Sequence, residues 1–159
     1  MDITLNYTQK GKGDTLILLH GNGENYSYFE NQIDFFAERY RVIALDTRGH
    51  GESPRGNAPF TIRQFADDLY EKISKKAIDK AHILGFSDGG NIAMCFALKY
   101  PEKVDRLILN GANLDGKGVK PTVQLPIIFG YHIARLFSKR SEDAKKNASQ
   151  ADKANEKKS

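Results

Sequence analysis

Four short stretches of this chain are apolar at consecutive positions rather than at every second one: TLILLH (15–20), RVIALD (41–46), AHILGFS (81–87) and RLILNGA (106–112). A strand with one wet face alternates apolar and polar side chains, whereas a strand covered on both faces has no reason to. Longer segments of helical spacing separate the four runs. That alternation points to an α/β chain built on a parallel sheet. A weaker run, ITLNYT (3–8), reads as a further strand near the edge.

Between the strands, Phe29, Ile33, Phe36 and Tyr40 recur at steps of three and four. Residues 26–39 are therefore expected to form a helix that turns this stripe toward the sheet. Thr61 and Gln64 have capping-box spacing and are followed by Ile62, Phe65, Leu69 and Ile73 on one helical face. Residues 90–100 form the next predicted helix, and Pro101 stops it. The aromatic side chains in these patterns read as core, not as a ligand box. After Asn113 the character changes. DGKGVKP is turn-rich, Gln124–Phe137 is apolar on nearly every side, and from Ser138 the chain is low-complexity Lys, Asp, Asn, Ala and Ser. No internal repeat is visible.

With 159 residues, 40% hydrophobic and 28% charged, the chain suffices for one ordinary domain with a real core. Its formal charge of +4 raises the question of an anionic partner, and the distribution answers it. From Ser138 to Ser159 seven basic side chains face four acidic ones, so three of the four net charges lie in a mixed-sign tail. Such a tail is a solvated end, and no nucleic-acid partner is expected. The N-terminus MDITLNYTQK lacks the basic start and apolar stretch of a secretory signal. The longest apolar region, LPIIFGYHIARLF, is interrupted by Pro126, His132 and Arg135 and is shorter than the roughly 20 residues a bilayer demands. A soluble cytoplasmic protein with no membrane partner is expected. Cys95 is the only cysteine, in the run NIAMCFAL, and is expected to pack rather than react.

The run at 81–87 leads into GFSDGG (85–90), which has the order strand, G-x-S-x-G, helix. A turn that sharp holds its central residue in a strained conformation and presses neighbouring backbones together, so glycine is required two positions either side. Gly85 and Gly89 occupy those positions, and Gly90 helps the helix approach the strand. Ser87 is then a candidate nucleophile, its hydroxyl projecting above the sheet at a helix N-terminus, where developing negative charge is favoured. A serine at that place also reads as a plain helix cap. HGNG (20–23) follows the first strong strand, and its glycines let backbone N–H groups turn outward beside the serine. Acyl transfer needs two such donors for its oxyanion, and the candidates are the backbone N–H groups of Asn22 and Asp88. A dinucleotide phosphate loop would need a third glycine that Gly21-Asn22-Gly23-Glu24-Asn25-Tyr26 lacks. No cofactor and no metal are expected.

HGNG, DTRGHGES (46–53), GFSDGG and YPEKVDRLIL (100–109), in this order and spacing, resemble the α/β-hydrolase fold superfamily over residues 3–113. The resemblance implies a three-layer, doubly wound, mostly parallel sheet. It also implies a serine hydrolase that cleaves carboxylic esters of a small-molecule acyl substrate. Members include carboxylesterases, lipases, lactonases, carbon–carbon bond hydrolases and proline aminopeptidases. Serine at the elbow centre speaks against the dehalogenases and epoxide hydrolases, which carry aspartate there, and Asp88 lies one position too late.

A serine hydroxyl needs a histidine to take its proton and a carboxylate to orient that histidine. The resemblance puts both after the serine. His20, His50 and His82 precede Ser87, so His132 is the histidine left as base and Asp115 the conceivable acid. His132 also reads as a partly buried or lid histidine. The family pattern implies two further strands beyond a lid. The chain therefore reads as its first two-thirds, with the last strands missing through natural truncation, a frameshift or a deliberate cut. The expected organisation is an incomplete hydrolase core at 1–116, the start of a lid at 117–138 and a polar, disordered tail at 139–159. The strand at 106–112 then becomes an open apolar edge, and self-association through it is expected. A non-catalytic binding remnant, or a catalytically incomplete fragment, is the alternative to an active hydrolase.

Overall fold

The computed structural model describes residues 2–113. The expectations for Asp115, His132, the lid and the tail lie outside the described residues. Five strands form one sheet: β1 Tyr7–Lys10, β2 Thr15–Leu19, β3 Arg41–Leu45, β4 Ala81–Phe86 and β5 Val104–Asn110. Their spatial order is β1-β3-β2-β4-β5, with β1 antiparallel to β3 and every other pair parallel. Three helices alternate with them, α1 Glu30–Ala37, α2 Ile62–Lys75 and α3 Asp88–Lys99. Residues Met1–Leu114 make up one unit of the chain.

Parity explains the burial. In β2, Ile17 and Leu19 point to a cluster completed by Phe65, Leu69 and Ile73 of α2 and Ile92, Ala93 and Phe96 of α3. Leu16 and Leu18 point the other way, to Phe29 and Ile33 before and within α1. Both parities find an apolar cover, so every residue of β2 is buried, as its unbroken apolar run requires. Coverage fails toward β5. In β4 only Ala81, Ile83 and Gly85 are fully buried, and in β5 Ile108 and Leu109 are 47% and 41% exposed. Ile108 pairs with Leu84 on the α1 side, and the residues that cluster with α1 come from β2, β3 and β4 but not from β5. The expectation of two covered faces thus holds for β2 and β3 and fails for β5.

Three local expectations are corrected. The first strand begins at Tyr7, not Ile3, because its pairing starts opposite Leu45, where β3 ends. Ile3 and Leu5 are buried before it, and Asn6 bonds instead to the 46–53 loop through Ser53 and Asp46. The segment at 26–39 opens with a 3-10 turn, Tyr26–Phe29, capped by the Asn25 side chain, before α1 begins. Only half of the capping box forms. Thr61 Oγ1 accepts from the Gln64 N–H at 3.2 Å, but the Gln64 side chain donates to Asp68 Oδ1 at 3.0 Å rather than reaching back. Asp68 draws it away because this buried carboxylate already anchors Arg48, and its oxygens need donors.

The winding positions the site. From β2 the chain crosses by α1 on one face to β3, then by α2 on the other face past β2 to β4. The direction of the strand order therefore reverses between β2 and β4, and the crevice at their carboxyl ends is where open α/β sheets bind ligands. Leu19 of β2 pairs with Gly85 of β4, so Gly21 and Ser87 come next, side by side, at the ends of neighbouring strands.

Candidate active site

Ser87 is the residue between β4 and α3, with φ 52° and ψ −115°. It is one of two described non-glycine residues at positive φ, a conformation that costs on the order of 1–3 kcal/mol and persists only where the surroundings enforce it. Here they do. The Ser87 N–H donates to the Asn110 carbonyl of β5 at 2.8 Å, and the Ser87 carbonyl accepts from the N–H groups of Gly90 and Asn91 at 2.9 and 3.1 Å. Sheet and helix thus hold the backbone from both sides and leave the side chain out. Although Ser87 stands at the N-cap position, its hydroxyl makes no capping bond, which removes the plain structural reason for a serine. The residue is half-buried, neither sealed in the core nor free.

The flanking glycines answer to contact. A Cβ on Gly85 would overlap the Gly89 carbonyl, and one on Gly89 would overlap the Leu19 carbonyl, so α3 lies directly against the ends of β4 and β2. A Cβ on Gly90 would sit 2.7 Å from that of Ala112. Asp88 begins α3 and its side chain is engaged by Asn91 at 3.4 Å.

Across the crevice, the turn at 20–23 faces the serine closely. A Cβ placed on Gly21 would stand 3.3 Å from Ser87 Cβ and 3.2 Å from Phe86 Cδ1. Both backbone groups of Gly21 are consumed: its N–H donates to Glu24 Oε2 at 2.9 Å, and its carbonyl accepts from His20 Nδ1 at 2.7 Å and the Glu24 N–H at 3.3 Å. Asn22 comes next and is exposed, and among the described residues its N–H has no acceptor.

The three histidines described are all occupied elsewhere. His20 is buried, donating from Nδ1 to Gly21 and accepting at Nε2 from the Thr47 N–H at 3.0 Å. Burial pushes its pKa below the usual imidazole value, and the Gly21 carbonyl offsets this in part. Its role is to join the turn after β2 to the loop after β3. His50 sits in that loop, its Nδ1 within 3.1 Å of Thr47 Oγ1 and of the Arg48 carbonyl, its ring stacked on Phe60. His82 lies five residues before Ser87 along β4, about 16 Å away at the rise of a strand. There its Nδ1 comes within 3.0 Å of Asp105 Oδ2, without hydrogen-bond alignment.

Sequence reasoning passed over the residues that brace this crevice. Arg48, fully buried, grips Asp68 through Nε and Nη2 at 2.7 Å each and Asp2 through Nη2 at 2.7 Å. The Arg48 hydrogen bond holds the Asp2 carboxyl well below the usual carboxylate range, and the hydrogen bonds to Asp68 first and Asp2 second raise Arg48 in turn. Buried Asp46 accepts from the Tyr26 N–H at 2.8 Å and the Glu52 N–H at 3.0 Å, tying the turn after β2 to the loop after β3. The RGHG loop carries charged side chains in a turn-rich stretch, and such stretches usually face water; only partners distant in sequence bury them. Tyr28 stacks on Phe86 with ring centroids 4.7 Å apart, next to the serine. Cys95 is half-buried at the margin of the core.

Residues 14–138 match the family model described as alpha/beta hydrolase fold. The chain is 34% identical over 110 residues to 3-oxoadipate enol-lactonase 2 of Acinetobacter baylyi, covering 68% of this chain and 41% of that protein. It is 35% identical over 125 residues to a 2-hydroxy-6-oxononadienedioate/2-hydroxy-6-oxononatrienedioate hydrolase of Paraburkholderia phymatum, covering 72% and 42%. The fold superposes on a thermophilic esterase from Thermogutta terrifontis with a TM-score of 0.69 at 30% identity, over 76% of this chain and 44% of that one. The chain spans less than half the length of each of these three proteins. No helix among the described residues is long and apolar enough to cross a membrane.

Proposed function

Because the chain belongs to the α/β-hydrolase fold family, we propose that it carries the nucleophile and oxyanion half of a serine hydrolase acting on carboxylic esters of small acyl substrates. Ser87 Oγ attacks the ester carbonyl, and the negative charge that forms on the carbonyl oxygen is taken up by the backbone N–H groups of Asn22 and Asp88. The hydroxyl proton passes to a base, the alkoxide leaves, and water then releases the acyl group from Ser87. The observation that carries this reading is Ser87 itself, held at φ 52° with no capping bond to explain it and set against Gly21. The base is assigned to His132, the one histidine of the sequence that follows Ser87, with Asp115 as the acid that orients it. The single cysteine fits a cytoplasmic setting.

The second reading is a binding remnant that no longer turns over: His20, His50 and His82 are each engaged away from Ser87, so among the described residues none stands in for the base should His132 not serve. Losing the base of such a site removes several powers of ten in rate. Turnover of p-nitrophenyl acetate separates the two. The enzymatic reading expects hydrolysis that Ser87→Ala abolishes; a folded chain whose rate equals that of Ser87→Ala contradicts it and leaves the remnant.

A further inference from the structure

We propose that Glu24 is a positioning residue for the oxyanion turn, acting through the Gly21 backbone to set the amide of Asn22. The inference rests on the reading of Ser87 as nucleophile, and it adds a role that neither the elbow nor the HGNG glycines supply.

The turn at 20–23 has little to hold it. Gly21 and Gly23 carry no side chains, Asn22 and Gly23 are exposed, and Gly23 is at φ 76°, where glycine has its widest freedom. A donor aimed at a developing charge is useful only if it is fixed beforehand, since a displacement of about 1 Å can cost about 100-fold in rate. Glu24 closes this turn twice. Its N–H donates to the Gly21 carbonyl at 3.3 Å, and its Oε2 accepts from the Gly21 N–H at 2.9 Å. The second bond is the shorter of the two, and it comes from the side chain. It holds the His20–Gly21 peptide, while His20 Nδ1 and the Glu24 N–H on the Gly21 carbonyl hold the Gly21–Asn22 peptide that carries the Asn22 N–H, so Gly21 is fixed on both sides.

The carboxylate belongs to the crevice and not to the outer surface. The Cβ that Gly21 lacks would stand 3.0 Å from Glu24 Oε2 and 3.3 Å from Ser87 Cβ, so acid, turn and serine converge on one point. A negative charge so near a developing oxyanion opposes it, so the useful property of Glu24 is its acceptor oxygen and not its charge. Glutamine keeps that oxygen; alanine does not.

The test compares wild type, Glu24→Ala and Glu24→Gln for p-nitrophenyl ester turnover and for the rate of Ser87 labelling by a fluorophosphonate. Glu24→Ala is expected to lower kcat and the labelling rate together by about 10- to 100-fold, with KM within about twofold, because the loss is confined to the transition state. Glu24→Gln is expected to stay within about threefold of wild type. An Ala variant with wild-type kcat, or an Ala and a Gln variant that fall alike, overturns the positioning role while the nucleophile reading stands. A folded wild type that neither hydrolyses nor labels overturns the nucleophile reading and the role of Glu24 with it.

Discussion

Replacing Ser87 by glycine should make this protein more stable. The side chain makes no capping bond, and its backbone sits at φ 52°, ψ −115°. Holding a non-glycine residue there costs about 1–3 kcal/mol. Glycine relieves that strain but loses about 0.4–1 kcal/mol through the greater freedom of its unfolded chain. The net gain expected for Ser87→Gly therefore lies between about 0 and 2.6 kcal/mol. Ser87→Ala keeps a Cβ and hence the strain, and it should stay within about 0.5 kcal/mol of wild type. A serine that served as an ordinary N-cap behaves differently, with alanine costing about 1 kcal/mol and glycine only a few tenths. Urea titrations of the three proteins, compared at constant m-value, separate the cases; the melting temperature of Ser87→Gly should rise by about 2–4 °C per kcal/mol. Alanine well below wild type with glycine near it would refute the assignment of strain, and with it the claim that the hydroxyl is kept at this bend for chemistry.

Gly89→Ala should destabilise the fold by about 3 kcal/mol or more, read by thermal circular dichroism, because its Cβ would meet the Leu19 carbonyl and the His20 carbonyl and neither backbone can yield cheaply. Lowering the pH should weaken the protein through His20. Burial depresses its folded pKa, so below the usual imidazole value near 6.5 the unfolded chain binds the extra proton, and stability present above that pH is lost as pH falls toward the folded pKa. Denaturant midpoints from pH 7.5 to 5 should fall for wild type and fall less for His20→Asn; parallel curves would contradict it. We also propose self-association of the 159-residue chain through β5, the last strand of the described sheet, whose Ile108 and Leu109 are exposed. Light scattering should report dimers or larger species, and a monodisperse monomer opposes the idea.

What the sequence made legible follows from local periodicity and from glycine. The four apolar runs located β2 to β5 within two residues at each end, since burial on both faces writes itself into consecutive positions. Gly85 and Gly89 marked the place where helix and strand touch, because no other residue fits there. Ile3 and Leu5 misled because burial and strand pairing are separate demands; both are buried, yet pairing with β3 begins only at Tyr7. Gln64 misled because a spacing cannot tell which of two partners its side chain will choose, and Asp68 won. Glu24, Arg48 and Asp46 went unread for a common reason. Each is a charged residue in a loop, and its meaning comes from atoms that folding brings near: the Gly21 N–H, the Asp2 and Asp68 carboxylates, the Tyr26 N–H.

The placement of a reactive hydroxyl at residue 87 is tested most directly by exposing the folded chain to a fluorophosphonate and mapping the adduct by peptide mass spectrometry. A phosphonylated peptide containing Ser87, with no labelling of the Ser87→Ala protein, is the expected result. A folded protein that stays unmodified, or one that is labelled at another residue, would contradict the account.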